Sequence, residues 1–220
     1  MLSMSILISV LSQKGGAGKS TIARLLAVEA AKLGKHTKIA DLDLTQATSV
    51  TWNNRRMQIN RQPALEAQTY GAVAQAIRDA VNFDLMIVDG APSASRAALE
   101  AATASVLTII PTRPSLDDLR PALAFARDLE RNGVSPDHIV FVLNQTTDST
   151  AEVHDARASL EKAGFPMAEA AIPYKTGYSR ALDEGASPSE ARHPSLQARA
   201  QAVATELFDY LKSLEGAQSW

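Results

Sequence analysis

The 220-residue sequence predicts an α/β fold, a mostly parallel doubly wound sheet with helices on both faces, from three observations. Short apolar runs of strand length alternate with longer segments of helical periodicity, the pattern of a buried parallel sheet. The first apolar run, Ile6 to Leu11, leads into a glycine-rich stretch, Gln13 to Thr21, and a helical pattern leads out of it. Several polar residues (Asp43, Asp89 and Asn144) fall just after apolar runs, at the strand ends where such folds bind ligands.

The elements follow in order. A helix from Lys19 to about Leu33 carries Ile22, Leu25, Leu26, Val28 and Leu33 and stops at Gly34, a residue suited to ending helices. Thr37 to Asp41 reads as a strand, and a helix through Trp52 to Arg56 follows the segment Asp41 to Gln46. Leu65 to Thr69 reads as an edge strand, and Val73 to Val81 as a helix with Val73, Ile77 and Val81 on one face. Leu85 to Asp89 is a buried-type strand, Ser95 to Ala104 an alanine-rich helix, and Val106 to Ile110 a strand ending at Pro111. A helix from Leu116 to Arg131, a strand from Ile139 to Asn144 and a helix from Thr150 to Ala163 come next. The short strand Ala170 to Ile172 precedes Pro173, and a long helix from Ser195 to Leu214 closes the pattern. No repeat, linker or boundary interrupts it, so residues 1–220 are expected to form a single domain.

Hydrophobic residues make up 45% and charged residues 21%, as in an ordinary soluble globule. No apolar run is long enough to span a bilayer and no signal peptide is visible, so a cytoplasmic location is expected. Cysteine is absent, which excludes disulfides, thiolate metal sites and iron–sulfur ligation. The net charge of −2 argues against strong constitutive nucleic-acid binding and leaves room for a local basic patch.

Strand, glycine-rich turn and helix is the context of a phosphate-binding loop. Gly15, Gly16 and Gly18 let the backbone turn its N–H groups inward on one anion, and the helix adds the positive end of its dipole. Lys19 can reach the β- and γ-phosphates and the Ser20 hydroxyl can ligate Mg²⁺. The common motif G-x-x-x-x-G-K-[ST] fails, because Gln13 stands where its first glycine belongs. The variant K-G-G-x-G-K-[ST] fits, with Lys14 as the extra lysine. Asp89 ends a strand where a carboxylate can hold Mg²⁺, directly or through water; it could also cap a turn. Asp41 and Asp43 are two apart, so on an extended strand both point one way and can serve magnesium and the attacking water, or cap the next helix.

The K-G-G-x-G-K-[ST] loop resembles the deviant Walker A box of the ParA/MinD family of dimerising ATPases, and the likeness extends along nearly the whole chain. Asp41 to Gln46 resembles that family's D-x-D-P-Q segment, although Leu44-Thr45 stands in place of one proline and displaces Gln46. Ile109 to Asp117 resembles its I-I-P-x-x-P-S-x-x-D loop, and Tyr178 to Gly185 its A-x-x-E-G turn and helix. The resemblance implies a P-loop NTPase fold that binds ATP and Mg²⁺ and hydrolyses ATP to ADP and phosphate. It assigns catalysis to Lys14, Lys19 and Asp43, and nucleotide contacts to Gly15, Gly16, Ala17, Gly18, Lys19, Ser20 and Thr21. It assigns the metal to Ser20, Asp43 and Asp89. Asn144 and Pro173 resemble positions flanking the base, although each is also an ordinary loop residue. Lys14 is expected to cross a homodimer interface to the partner's nucleotide, where a second cation stabilises negative charge only once the subunits close.

A short partition or positioning ATPase of the ParA type is the function this resemblance implies. Such a protein binds nonspecific DNA, sits on the nucleoid and is stimulated by a ParB-like or cargo adaptor protein. Lys175, Arg180, Arg192 and Arg199 are candidate DNA contacts. The terminal stretch Glu206 to Glu215 carries three acids and one lysine, which anionic lipid would repel, so no stable membrane association is expected. No helix-turn-helix extension precedes the first strand, so operator binding is not expected. A MinD-like membrane-associated ATPase and a small-molecule ligase of the dethiobiotin-synthetase type are the alternatives.

Overall fold

The computed structural model describes residues 5–92, 95–147 and 149–214. Glu215 of the terminal stretch and the leading residues 1–4 lie outside them. The chain runs β1 (Ile6–Val10), α1 (Lys19–Lys32), β2 (Thr37–Asp41), α2 (Thr48–Gln58), β3 (Glu66–Thr69), α3 (Val73–Ala80), β4 (Leu85–Asp89) and α4 (Arg96–Ala104). It continues β5 (Leu107–Thr112), α5 (Leu116–Arg131), β6 (Ile139–Thr146), α6 (Thr150–Ala163), β7 (Ile172–Pro173), α7 (Thr176–Asp183) and α8 (Pro194–Ser213). The strands form one parallel sheet in the order β3-β2-β4-β1-β5-β6-β7.

Alternation along the central strands builds two cores. Ile6, Ile8, Val10, Leu85, Ile87, Leu107 and Ile109 face a layer made by α1, α2, α7 and α8. Leu7, Met86, Val88, Ile110 and Phe141 face α3, α4, α5 and α6. Connections that move toward β3 use the first layer, and those that move toward β7 use the second. A single crossover handedness requires that division. The order reverses beside β1, which opens a crevice at the carboxyl ends of β1, β2 and β4.

Two expectations need correction, and a third gains detail. On α3 the buried face is Val73, Ala76 and Ala80, while Ile77 and Val81 are exposed. Val73, Ile77 and Val81 do share a stripe, but α3 turns Val73, Ala76 and Ala80 into the second core. The strand expected at Ala170 to Ile172 is Ile172–Pro173, and β6 runs past Asn144 to Thr146. Proline tolerates this edge position because β7 bonds on one side only. β2 ends at Asp41, so Asp43 stands beyond the strand and strand alternation does not relate the two carboxylates. The acidic α8 does pack as core: Val203, Ala204, Leu207, Phe208 and Leu211 are buried against the first layer.

Candidate functional site

The loop after β1 is held from β5 and β6. Gly18, the N-cap of α1, has φ +100°, and Gly16 has φ +75°. The Asn144 side chain donates from Nδ2 to the Ala17 carbonyl at 2.8 Å. Arg113 and Gln145 both donate to the Gly16 carbonyl, each at 3.1 Å. Gly15 has no positive φ, and a Cβ there would meet nothing. No side chain caps α1, so its first-turn N–H groups remain for an anion.

A cavity of about 300 Å³ opens onto that helix end, lined by Gly15, Gly16, Gly18, Lys19, Ser20, Thr21, Asp41, Asp43 and Asp89, with Arg24, Gln46 and Gln145. Lys19 is buried, and its ammonium makes no hydrogen bond among the described residues. Burial lowers its pKa, against the opposing pull of Asp89 and Asp43. Asp89 is 2% exposed; burial pushes its pKa up to about 6, with the Ser49 hydroxyl bond acting the other way. Its Oδ2 accepts from Ser49 Oγ at 2.6 Å, whereas Oδ1 is buried and has no partner. The Ser20 and Thr48 hydroxyls are 3.0 Å apart.

The two acids after β2 divide their work. Asp41 accepts from the Asp43 N–H at 3.0 Å and the Ser49 N–H at 2.8 Å, so both oxygens shape the loop and cap α2. Its expected support for magnesium is therefore indirect. Asp43 takes the N–H groups of Thr45 and Gln46 on Oδ1 and faces the cavity. Gln46 lines the cavity despite the extra residue before it.

Lys14 stands apart. Its ammonium is 2.7 Å from Asp118 Oδ1 and 3.2 Å from the Asp117 carbonyl at the start of α5, and its side chain is 45% exposed. Asn144 and Pro173 line a smaller cleft of about 70 Å³ that shares Thr21 and Gln145 with the main cavity. Asn144 Oδ1 is buried there without a partner. An unpaired cation, an uncapped helix end and an orphaned carboxylate oxygen on one cavity fit a magnesium-bound polyphosphate. Thr21 and Gln145 connect that cavity to the side cleft.

Sequence reading missed Arg24, Thr48, Ser49, Arg113, Gln145 and Asp118. Arg113 and Asp118 lie in or beside the quoted I-I-P loop, which pointed to them. Arg24 is a cation inside an apolar helix stripe, and that is its signal in the sequence.

The family described as the CobQ/CobB/MinD/ParA nucleotide binding domain matches residues 8–188. A carboxysome distribution protein A of Gloeobacter kilaueensis is 29% identical over 182 residues, 82% of each chain. A ParA protein of Rhizobium radiobacter is 28% identical over 182 residues, covering 80% of this chain and 82% of its own. The septum site-determining protein MinD of Pyrococcus horikoshii, solved with Mg-ADP, superposes with a TM-score of 0.75 at 19% identity over 96% of this chain and 98% of its own. That likeness shows the fold, and it is the P-loop NTPase fold expected from the loop. By its loop, its sheet and its matched span, the chain belongs to the CobQ/CobB/MinD/ParA nucleotide-binding family.

Proposed function

We propose that the chain is an ATPase that closes into a homodimer around ATP and Mg²⁺ and uses the cycle to partition or position a DNA or protein cargo. The observation that carries this reading is the division between the loop's two lysines. Lys19 turns into its own cavity, while Lys14 turns out to Asp118 and stays half exposed. A cation displayed outside its own phosphate site is of use to a neighbouring one. Magnesium, when bound, offsets the charge of the transferring phosphoryl group. Ser20, Asp43 and Asp89 would hold it. Lys19 and the loop N–H groups bind the phosphates, and Asp43 orients the attacking water. Lys14 exchanges Asp118 for the partner's nucleotide. Size exclusion of the Asp43→Ala and Lys14→Ala variants with ATP and Mg²⁺ tests the scheme: only the first should run as a dimer.

A nucleoid-bound protein needs cations for DNA, and one surface favours that reading. Lys175, Arg180 and Arg192 line a single cavity of about 320 Å³ with His193, between the starts of α7 and α8. Neither helix has a side-chain cap, so both dipole ends favour phosphate. The relatives named for carboxysome distribution and as ParA suggest the cargo class, with a ParB-like or other adaptor stimulating hydrolysis. The apolar face of α8 is engaged in the core, which weighs against the MinD-like membrane alternative.

A further inference from the structure

Arg24 lies on α1, five residues after Lys19, among Ile22, Ala23, Leu25 and Leu26. It is 7% exposed and lines the phosphate cavity. An isolated cation is costly to bury, and an apolar side chain of similar volume would pack a helix stripe as well. Its surroundings show what offsets that cost. The guanidinium lies over the Trp52 indole, 5.5 Å from the ring centroid, and its Nε donates to Ser49 Oγ at 3.2 Å. Ser49 is completely buried. Because its oxygen accepts from Arg24, its own proton goes to Asp89 Oδ2, 2.6 Å away. The Ser49 N–H donates to Asp41, which fixes the backbone that presents the hydroxyl. The chain Arg24–Ser49–Asp89 thus occupies one carboxylate oxygen of Asp89 and leaves the other, Oδ1, buried and unpartnered.

We propose that Arg24 is a positioning residue for the magnesium site: acting through Ser49, it holds Asp89 with one oxygen committed and the other presented to the metal or its water. The proposal rests on reading the cavity as the Mg·nucleotide site. Arg24 also serves as a resident cation beside Asp41 and Asp89, two carboxylates in register on neighbouring strands. Burial lowers its pKa to about 10, with Asp89 and Asp41 pulling the other way, so it is charged at neutral pH.

The test is binding of a fluorescent ADP analogue to the full chain, first in EDTA and then across a magnesium titration. Arg24→Met and Ser49→Ala should weaken metal-free nucleotide binding much less than they weaken its enhancement by magnesium. The magnesium concentration for half-maximal enhancement should rise about tenfold or more, the usual effect of losing a partner that orients a metal ligand. Arg24→Lys should recover part of that loss, since it keeps the charge without the planar fork. In turnover the same variants should raise the apparent KM for magnesium more than they lower kcat at saturating metal. A parental magnesium midpoint in Arg24→Met or Ser49→Ala overturns the proposal. So does an equal loss of metal-free and metal-dependent binding, which is what a packing role produces. If Arg24→Met does not fold, Ser49→Ala and Arg24→Lys decide by the same midpoints. A parent protein whose ADP affinity ignores magnesium overturns the site reading itself, a result seen before any variant is compared.

Discussion

The Asn144 amide nitrogen stands 1.8 Å from the point where a Cβ on Gly18 would lie. The end of β6 thus presses against the phosphate loop at the residue with φ +100° that starts α1. Gly18→Ala meets both constraints. A left-handed residue with a side chain costs about 1–2 kcal/mol, and Asn144 must give up its bond to Ala17 to make room. Nucleotide binding should be lost and the melting temperature lowered. Adding Asn144→Ala should recover part of the melting temperature, because the clash goes while the backbone strain stays. Thermal melts and a nucleotide titration of both variants check this; a double variant no more stable than the single one removes Asn144 as the obstacle.

Lys19→Ala should abolish ATP binding. Lys19 is the cation of the loop that faces the cavity, since Lys14 is engaged at Asp118. Near-parental affinity in a calorimetric titration of Lys19→Ala would overturn the reading of the loop.

Asp43→Ala should bind ATP, lose turnover and accumulate as a dimer. Lys14→Ala should bind nucleotide as a monomer and hydrolyse it slowly. The Lys14 end of the Lys14–Asp118 bridge is half exposed, whereas Asp118 is nearly buried and also accepts from Ser115 Oγ at 2.6 Å. Asp118→Asn keeps an acceptor for Ser115 and removes the charge, so it should keep the fold and lower the ATP concentration needed to dimerise. Size exclusion across an ATP series reads all three. A Lys14 variant that dimerises as well as the Asp43 variant eliminates the cross-subunit role.

Asp89 gives the unliganded protein a pH signature. Its pKa is about 6 in the fold against 3.8 for a free carboxyl. Between about pH 4 and 6 the native state therefore holds a proton that the unfolded chain has released, and stability falls as pH rises through that window. The cost of ionising it is on the order of 3 kcal/mol. Asp89→Asn should raise the melting temperature at neutral pH by several degrees and flatten its dependence over that window. The same variant should lose the stabilisation that Mg·ADP gives the parent. Melts from pH 4 to 8 with and without Mg·ADP check both, and an Asn variant melting below the parent at pH 7.5 contradicts the assignment.

Most of the fold was legible because buried parallel strands are written as continuous apolar runs, as in Leu85 to Val88, and glycines punctuate the helices. The phosphate loop was legible because its residue types and spacing are local. What lay hidden is what depends on contacts between distant segments. The spacing of Asp41 and Asp43 suits a metal, whereas the oxygens of Asp41 accept from the Asp43 and Ser49 N–H groups. Asn144 is close to Ala17 only through the sheet order, 127 residues apart in sequence. Ser49 and Arg24 carry no motif, and their relation to Asp89 exists only once α1, α2 and β4 are packed. On α3, periodicity marks the stripe Val73, Ile77 and Val81 without saying which side of it meets the sheet, and Ala76 and Ala80 do so with Val73.

DNA binding should appear with ATP and fade with ADP. A chain of net charge −2 offers DNA only a local group of cations. Lys175, Arg180 and Arg192 line one cavity, whereas Arg199 is not among its lining residues. Arg192 is already paired, 2.7 Å from Glu184, so it must exchange a carboxylate for a phosphate. Arg180 is exposed and has no ion-pair partner among the described residues. Each phosphate contact contributes about −0.9 to the slope of log K against log salt. Two or three contacts bind weakly, and a symmetric dimer that presents both patches on one face roughly doubles the slope. The second patch then engages at high effective concentration. Arg180→Ala should therefore flatten the slope by about 2 in the dimer, more than Arg192→Ala, because Arg192 must release Glu184 to reach a phosphate and the freed carboxylate takes up a cation in exchange. The measurement uses Asp43→Ala on random-sequence duplex in ATP and in ADP across a salt series. Equal slopes and affinities in the two nucleotides would overturn the nucleoid reading and bring the membrane and ligase alternatives forward.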